Sequence, residues 1–173
     1  MQNPFFEVAQ TSAQQAFEEG LPIFLTDVAR STPVNATPYL LSYSDFSKAI
    51  VRWPERHGLV RELGRVRNRM VENGFEVDAL LIGGSFTELG RSAPADIDCL
   101  IFYRCTENAA SSQLVAIQKS AKANSVDCRL VPLDGDPMVL LKLTSYFTIL
   151  YSKRKESLEL ARCLLLIDCR ESI

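Results

Sequence analysis

The strongest constraint on the fold is a short pattern of glycines and aspartates between two apolar segments. A Gly-Gly-Ser turn at residues 83–85 follows the first apolar segment, and an Asp-x-Asp sequence, Asp96 and Asp98, opens the second. Alternate side chains of a β-strand point to the same face, with Cα atoms about 6.6 Å apart. We therefore expect the two carboxylates to project together from a sheet while Ile97, between them, packs into the core.

The residue types in this pattern suit phosphate and metal chemistry. Glycines before a helix let backbone N–H groups approach a phosphate closely, and the Ser85 hydroxyl can donate to the same group. Two convergent carboxylates make a hard-oxygen site that suits Mg²⁺ better than zinc. The two ions of a phosphoryl-transfer site lie about 3.5–4 Å apart, which such a pair can bridge. Either half of the pattern alone is common in ordinary turns and strand edges, so the prediction depends on their combination and spacing.

Length and composition indicate one globular domain. The 173 residues are 47% hydrophobic and 23% charged, as in ordinary folded proteins. Nineteen Lys and Arg oppose 21 Asp and Glu, and the net charge of −2 argues against a protein that mainly coats nucleic acid or an acidic membrane. We expect no membrane association, because no apolar run approaches the roughly 20 residues that span a bilayer. The first residues do not have the pattern of a secretory signal.

The cysteines and the single histidine argue against several kinds of site. Five scattered cysteines, with no CxxC pair, are typical of small core residues in a reducing cytosol, so we expect a cytoplasmic protein. His57 is the only histidine, which leaves little material for a zinc centre or a Ser-His-Asp triad. Its position at a helix start favours a surface or capping role.

Hydrophobic periodicity gives the clearest helix. Leu59, Leu63, Val66 and Met70 recur at spacings of about one turn, and they predict one buried face. A shorter helix precedes it, and we expect Ser44 to cap its start.

The remaining patterns predict an alternation of helices and strands. Residues 21–29 fit either a strand or a helical turn, and residues 30–38 are typical of a linker. Helices are predicted at 7–19, 45–53, 59–72, 111–122 and 138–151, and strands at 77–82, 97–103, 125–131 and 162–168. This order indicates an α+β fold, with a mixed sheet that has helices on one face and an N-terminal helical extension.

The Gly-Gly-Ser and Asp-x-Asp pattern resembles the signature of the DNA polymerase β-like nucleotidyltransferase superfamily. The chain is most similar to the small, single-domain (minimal-type) branch of that superfamily. Residues 43–46, the helix through residues 56–70 and the motif itself fall in the order that those small proteins show. The resemblance implies a nucleotidyltransferase-like domain at residues 38–173, preceded by an extension at residues 1–37 that has no counterpart in the branch.

The resemblance also implies a third carboxylate on a later strand. Asp127 is the candidate, because it opens an alternating run one helix after the Asp-x-Asp strand. Asp134 and Asp136 are rival candidates, although their Asp/Gly/Pro setting is more typical of a turn.

The chemistry that the resemblance implies is transfer of a nucleoside monophosphate from a nucleoside triphosphate (NTP) to a hydroxyl group. In-line attack on the α-phosphorus would expel pyrophosphate, with Asp127 as general base or its metal-bound equivalent. Two Mg²⁺ ions would be held by Asp96, Asp98 and Asp127, and the triphosphate would be gripped by Gly83, Gly84 and Ser85. Additional phosphate contacts could come from Arg91, Lys153 or Arg154, which are otherwise ordinary surface charges.

In this branch the acceptor is often a protein or a small molecule, and some members resemble the antitoxin of a toxin–antitoxin pair. A protein partner or acceptor is therefore one expectation. The alternative is a catalytically inactive module that binds a nucleotide or a partner protein. An enzyme that acts on nucleic acid, such as a tRNA nucleotidyltransferase, is less favoured because of the near-neutral charge and the missing RNA-binding domain.

Overall fold

A mixed β-sheet between two layers of helices forms the centre of the molecule. The computed structural model describes residues 3–20, 31–88, 93–153 and 162–170. The helices in these ranges are α1 Pro4–Glu19, α2 Tyr43–Ile50, α3 His57–Glu72, α4 Gln113–Ala123 and α5 Pro137–Ser152, with short 3-10 helices at Pro54–Arg56 and Gly84–Thr87. The strands are β1 Tyr39–Ser42, β2 Phe75–Gly83, β3 Ile97–Cys105, β4 Val126–Pro132 and β5 Leu165–Asp168.

The strands are arranged in the order β1-β5-β2-β3-β4. The outer pairs, β1 with β5 and β3 with β4, are parallel, whereas β2 is antiparallel to both of its neighbours. This mixed sheet, with helices in both the N-terminal and the C-terminal halves of the chain, confirms the predicted α+β class.

Both faces of the sheet are apolar, and each is covered by helices. One face packs against buried residues of α1 to α4, among them Phe17, Phe46, Leu63 and Ile117. The opposite face, formed by residues such as Leu100, packs against α5. The expectation that all helices share one face is therefore corrected for α5. The central strands are apolar on both sides, and a second layer is needed to remove the second side from water.

Helix α1 covers the edge strand β1. Asn3 caps the helix by accepting a hydrogen bond from the Phe5 N–H, and Gly20 ends it with a φ of 96°, in the left-handed region that favours glycine. Ala13 and Phe17 join the main core. Helix α1, which belongs to the predicted extension, thus packs against β1 and the main core.

Strand β1 was not predicted, and the cap of α2 lies two residues before the predicted position. Tyr39, Leu40 and Leu41 are all buried, so β1 lacks the alternation that identifies a strand. Helix α2 is capped by Ser42 instead of Ser44, because Ser42 is the last residue with extended backbone and its Oγ accepts the Asp45 N–H at 3.0 Å.

The interpretation of residues 21–29 lies outside the described residues. Over the described ranges, no helix combines the length and the apolar character that crossing a bilayer requires.

Candidate functional site

Three sequence-predicted residues form one row across the sheet. Gly83 at the carboxyl end of β2 pairs with Asp98 on β3, and Asp98 pairs with Asp127 on β4. Neighbouring strands lie about 4.8 Å apart, so the three positions span about 10 Å. Strand alternation puts both carboxylates on the same face as Leu100 and Val131, which is the face that α5 covers.

Gly84 brings the glycine turn into contact with the carboxylates. Its φ of 68° is in the left-handed region, where a side chain is strained. A Cβ on Gly84 would lie 2.1 Å from Oδ2 of Asp98, so that carboxylate occupies the space that a side chain would need. Ser85 is half-buried in the 3-10 helix that begins at Gly84. Two motifs that are separate in the sequence therefore touch in space.

Helix α5 and the segment before β5 close the end of β2. A Cβ on Gly83 would lie 2.8 Å from the Tyr151 Cβ and 2.4 Å from Cδ2 of Leu164. Only a glycine fits between these two side chains without displacing them. The two glycines of the motif thus serve different purposes, because Gly83 admits α5 and Gly84 admits a carboxylate.

Asp96 and Asp98 flank a buried residue, as the Asp-x-Asp pattern predicts. Ile97 is fully buried, and its N–H donates to the Ser125 carbonyl at 3.0 Å in continuation of the parallel ladder. Both aspartates are half-buried. Strand alternation therefore directs the Asp98 carboxylate away from the core that holds Ile97, and Asp96 directly precedes the strand.

Asp127 is paired with an arginine that the sequence analysis did not select. Nη1 of Arg129 donates to Oδ1 of Asp127 at 2.8 Å, and the two side chains are 43% and 30% exposed. Arg129 lies two residues after Asp127 and therefore points to the same face of β4. The only signal in the sequence is this Asp-x-Arg spacing, which is too common in strands to mark a site.

The rival carboxylates have structural roles at the other end of β3. Oδ2 of Asp134 accepts the Cys105 N–H at 3.0 Å. Asp136 caps α5 by accepting the Met138 N–H at 2.7 Å. Asp127 is the one of the three that lies beside Asp98.

The charges of Asp98 and Asp127 change the pKa values of buried groups next to the row. Burial raises the pKa of the Tyr151 hydroxyl far above its ordinary value, and the negative charges of Asp98 and Asp127 raise it further. The pKa of the Cys99 thiol is raised well above 9.0 by burial and by the neighbouring acidic groups. The Arg129 charge lowers the pKa of both groups. Both therefore remain neutral, and neither is placed to act as an acid or base near pH 7.

A buried arginine supports the glycine turn from below. Arg56 is fully buried, and its guanidinium donates to the carbonyls of Phe86 at 2.8 Å and Glu88 at 2.7 Å. Arg162 reaches the same turn from the other side, with Nη2 3.1 Å from Oε2 of Glu88. Neither was selected from the sequence, and Arg56 lies in a polar Pro-Glu-Arg-His stretch that has the pattern of a surface segment.

Of the remaining candidate cations and the histidine, Lys153 and His57 lie within the described residues, and neither belongs to the row. Lys153 is exposed at the C-terminal end of α5, while Arg91 and Arg154 lie outside the described residues. His57 has the expected capping role, since its Nε2 lies 3.1 Å from the Ile50 carbonyl and donates to it at the end of α2.

The side chains of the row do not form a ready-made metal cage. Among the residues that the structure describes, no three or more His, Cys, Asp or Glu side chains are grouped so that they could hold a metal ion. The row, together with Arg129 and the rest of the glycine turn, instead offers two carboxylates and one guanidinium. Such a set can bind a cation through the acids or a phosphate through the arginine.

Other concave surfaces lie away from the row. A cleft of about 280 Å³ separates the start of α1 from the sheet and is lined mainly by apolar residues such as Phe6, Leu40 and Leu166. Its chemistry suits packing more than phosphoryl transfer.

The fold and the row define an α+β domain that displays carboxylates at the amino ends of two parallel strands. Residues 21–162 match a family of unknown function, DUF6932, and the chain belongs to that family. No curated protein and no solved structure matches the chain significantly.

Proposed function

We propose that the chain is a nucleotidyltransferase that moves a nucleoside monophosphate from an NTP to a hydroxyl group. The observation that supports this most strongly is the contact between the two motifs. Gly84 lies against the Asp98 carboxylate, and Asp98 and Asp127 are neighbours in strand register. A glycine turn that can approach phosphates closely and a pair of carboxylates that can hold divalent cations are thereby placed together.

The donor set fits a hard divalent cation. Asp98 and Asp127 offer carboxylate oxygens from neighbouring strands on one face, and Asp96 directly precedes β3, the strand of Asp98. We propose that these three residues hold two Mg²⁺ ions. Bound Mg²⁺ would neutralise phosphate charge and lower the pKa of the acceptor hydroxyl.

The chain's own residues would orient the substrate and take up the proton. Backbone N–H groups at Gly83 and Gly84 would contact the triphosphate, and Ser85 offers a hydroxyl at the same turn. Asp127 would accept the proton of the attacking hydroxyl. The new bond joins the acceptor oxygen to the α-phosphorus as the bond to the pyrophosphate oxygen breaks, and the products are the nucleotidylated acceptor and pyrophosphate.

A hydroxyl of a protein or small molecule is the proposed acceptor, and a toxin–antitoxin or defence-type system is one setting. The net charge of −2 favours such acceptors over a nucleic acid. We propose a cytoplasmic location, since all five cysteines are free.

Transfer is tested with the four α-³²P-labelled NTPs and Mg²⁺. The chain itself, a desalted lysate and small hydroxyl compounds serve as acceptors. We expect label on an acceptor, and its loss in the Asp96→Asn/Asp98→Asn variant. The matched control is Asp134→Asn/Asp136→Asn, which changes the same spacing at the other end of β3 and keeps a capping side chain on α5. No transfer from any NTP, together with no metal-dependent NTP binding, would contradict the proposal.

Two observations favour a second candidate, a catalytically inactive module that binds a nucleotide or a partner protein. Asp127 is already paired with Arg129, and the described residues contain no group of three metal ligands. In that case the wild-type chain would bind an NTP without transferring label, and the Asp96→Asn/Asp98→Asn variant would bind it equally well.

A further inference from the structure

We propose that Arg129 regulates the site by exchanging Asp127 for the phosphates of the incoming nucleotide. Without nucleotide, Arg129 pairs with Asp127 and disfavours a cation there. When metal and nucleotide arrive together, the guanidinium moves to the triphosphate and Asp127 becomes a metal ligand. This inference rests on the proposed function, since it concerns how the same site binds metal and nucleotide.

The ion pair between Arg129 and Asp127 is weak enough for either partner to be replaced. Both side chains are partly exposed, at 43% for Arg129 and 30% for Asp127. Exposed pairs of this kind contribute only about 0–1 kcal/mol, so a competing ligand can replace either partner at low cost. The short distance of 2.8 Å nevertheless places a full positive charge beside one of the oxygens that a cation would need.

The guanidinium has donors to spare for a phosphate. Nη1 makes both of the hydrogen bonds that join Arg129 to described residues, one to Asp127 and a longer one to the Cys128 carbonyl at 3.4 Å. An arginine carries five N–H donors in a planar fork that matches the oxygens of a phosphate. A triphosphate brings several negative charges and therefore competes strongly with a single carboxylate for this group.

If the exchange occurs, Arg129→Gln should change the affinity for a cation alone and the affinity for a metal–nucleotide complex in opposite directions. Removal of the positive charge strengthens the binding of a cation alone, because the repulsion at Asp127 is lost. The same change weakens the binding of a metal–nucleotide complex, because a charge-assisted hydrogen bond to phosphate is lost. A merely structural role for Arg129 would move both affinities in the same direction or leave both unchanged.

The test uses the full chain with Mn²⁺ as the metal and the four α,β-methylene NTPs as non-reacting nucleotides. Free Mn²⁺ is counted by electron paramagnetic resonance, and nucleotide binding with Mn²⁺ is measured by calorimetry. For Arg129→Gln we expect Mn²⁺ alone to bind up to about fivefold more tightly, the size of an exposed ion pair. The Mn²⁺–nucleotide complex should bind about tenfold more weakly, the size of a charge-assisted hydrogen bond.

Two further variants complete the design. Arg129→Lys keeps the charge without the planar fork, so it should leave Mn²⁺ binding near wild type and weaken nucleotide binding. Arg104→Gln removes an exposed arginine that pairs with Asp78, outside the row, and should change neither affinity.

Parallel changes of both affinities in Arg129→Gln, or no change, would overturn the exchange while wild-type binding still supports the proposed function. A wild-type chain that binds neither Mn²⁺ nor any Mn²⁺–nucleotide complex would overturn both proposals.

Discussion

Gly84 is required both by the backbone conformation of the turn and by the position of the Asp98 carboxylate. Its positive φ lets the chain turn sharply after β2, and its missing side chain leaves room for the Asp98 carboxylate. Gly20 is a matched comparison, because it also has a positive φ but no atom within 4 Å of a built Cβ. Comparing alanine at the two positions separates backbone strain from the cost of displacing Asp98.

We expect Gly84→Ala to destabilise the fold more than Gly20→Ala. Each change forces a left-handed alanine, which costs about 1–2 kcal/mol. At Gly84 the new Cβ must also push Asp98 out of its position, and an off-rotamer side chain costs about 0.5–1.5 kcal/mol more. Urea unfolding of both variants measures the difference, and equal losses would contradict the contact with Asp98.

Sequence alone identified the acidic residues of the candidate site but not the arginines around them. Gly83, Gly84 and the Asp-x-Asp pair belong to a local pattern whose spacing restricts their geometry. Arg56 contacts partners that are distant in the sequence. Arg129 follows Asp127 by two residues, and this Asp-x-Arg spacing is too common in strands to mark a site. Arg56 reaches carbonyls some thirty positions away, and no periodicity marks such a contact.

At the scale of elements, the short 3-10 helix Gly84–Thr87 depends on support from outside. Its hydrogen bonds are few, and Arg56 supplies donors to two carbonyls at its end and just beyond it. Oγ1 of Thr87 also donates to the Cys163 carbonyl at 2.8 Å, which ties the turn to the segment before β5. The conformation of the glycine turn is therefore set by the start of α3 and by the approach to β5.

We expect Arg56→Met to lower the free energy of unfolding by about 2–4 kcal/mol, because two buried carbonyl oxygens lose their donors. Arg65→Met, on helix α3 that follows directly after Arg56, is the control. Arg65 is mostly exposed and pairs with Glu62, so its loss should cost at most about 1 kcal/mol. Chemical unfolding of both variants gives the comparison, and losses of similar size would show that the buried contacts of Arg56 do not stabilise the turn.

Hydrophobic periodicity identified helix α3, of which one face is buried, but it did not reveal the short strand β1 or the face of the sheet on which α5 lies. Helix α3 has Leu63, Val66 and Met70 in the core, as its periodicity predicts. Strand β1 was missed because its first three residues are all buried. The stripe of α5 that packs on the sheet is hard to recognise, since large apolar residues such as Leu141 and Ile149 are exposed on its other side. Its position on the second face follows from tertiary packing and not from its own pattern.

At the scale of the whole molecule, the question is whether residues 1–37 behave as a separate extension. Helix α1 lies on the edge strand and contributes Ala13 and Phe17 to the core that also contains residues of α2, α3 and α4. Phe17 lies 5.7 Å, between ring centroids, from Trp53. Trp53 is the single tryptophan of the chain, so its fluorescence reports whether α1 is docked.

We expect α1 and the sheet to unfold in one cooperative transition, because a shared core leaves no boundary at which the two could separate. Urea curves from Trp53 fluorescence and from far-UV circular dichroism should therefore coincide. Ala13→Asp places a carboxylate at a fully buried position and should shift both curves together, with a loss of about 2–4 kcal/mol. Gln14→Asp, exposed on the same helix, should shift neither. A fluorescence change that precedes the loss of helical signal would instead identify α1 as an extension that detaches from an intact domain.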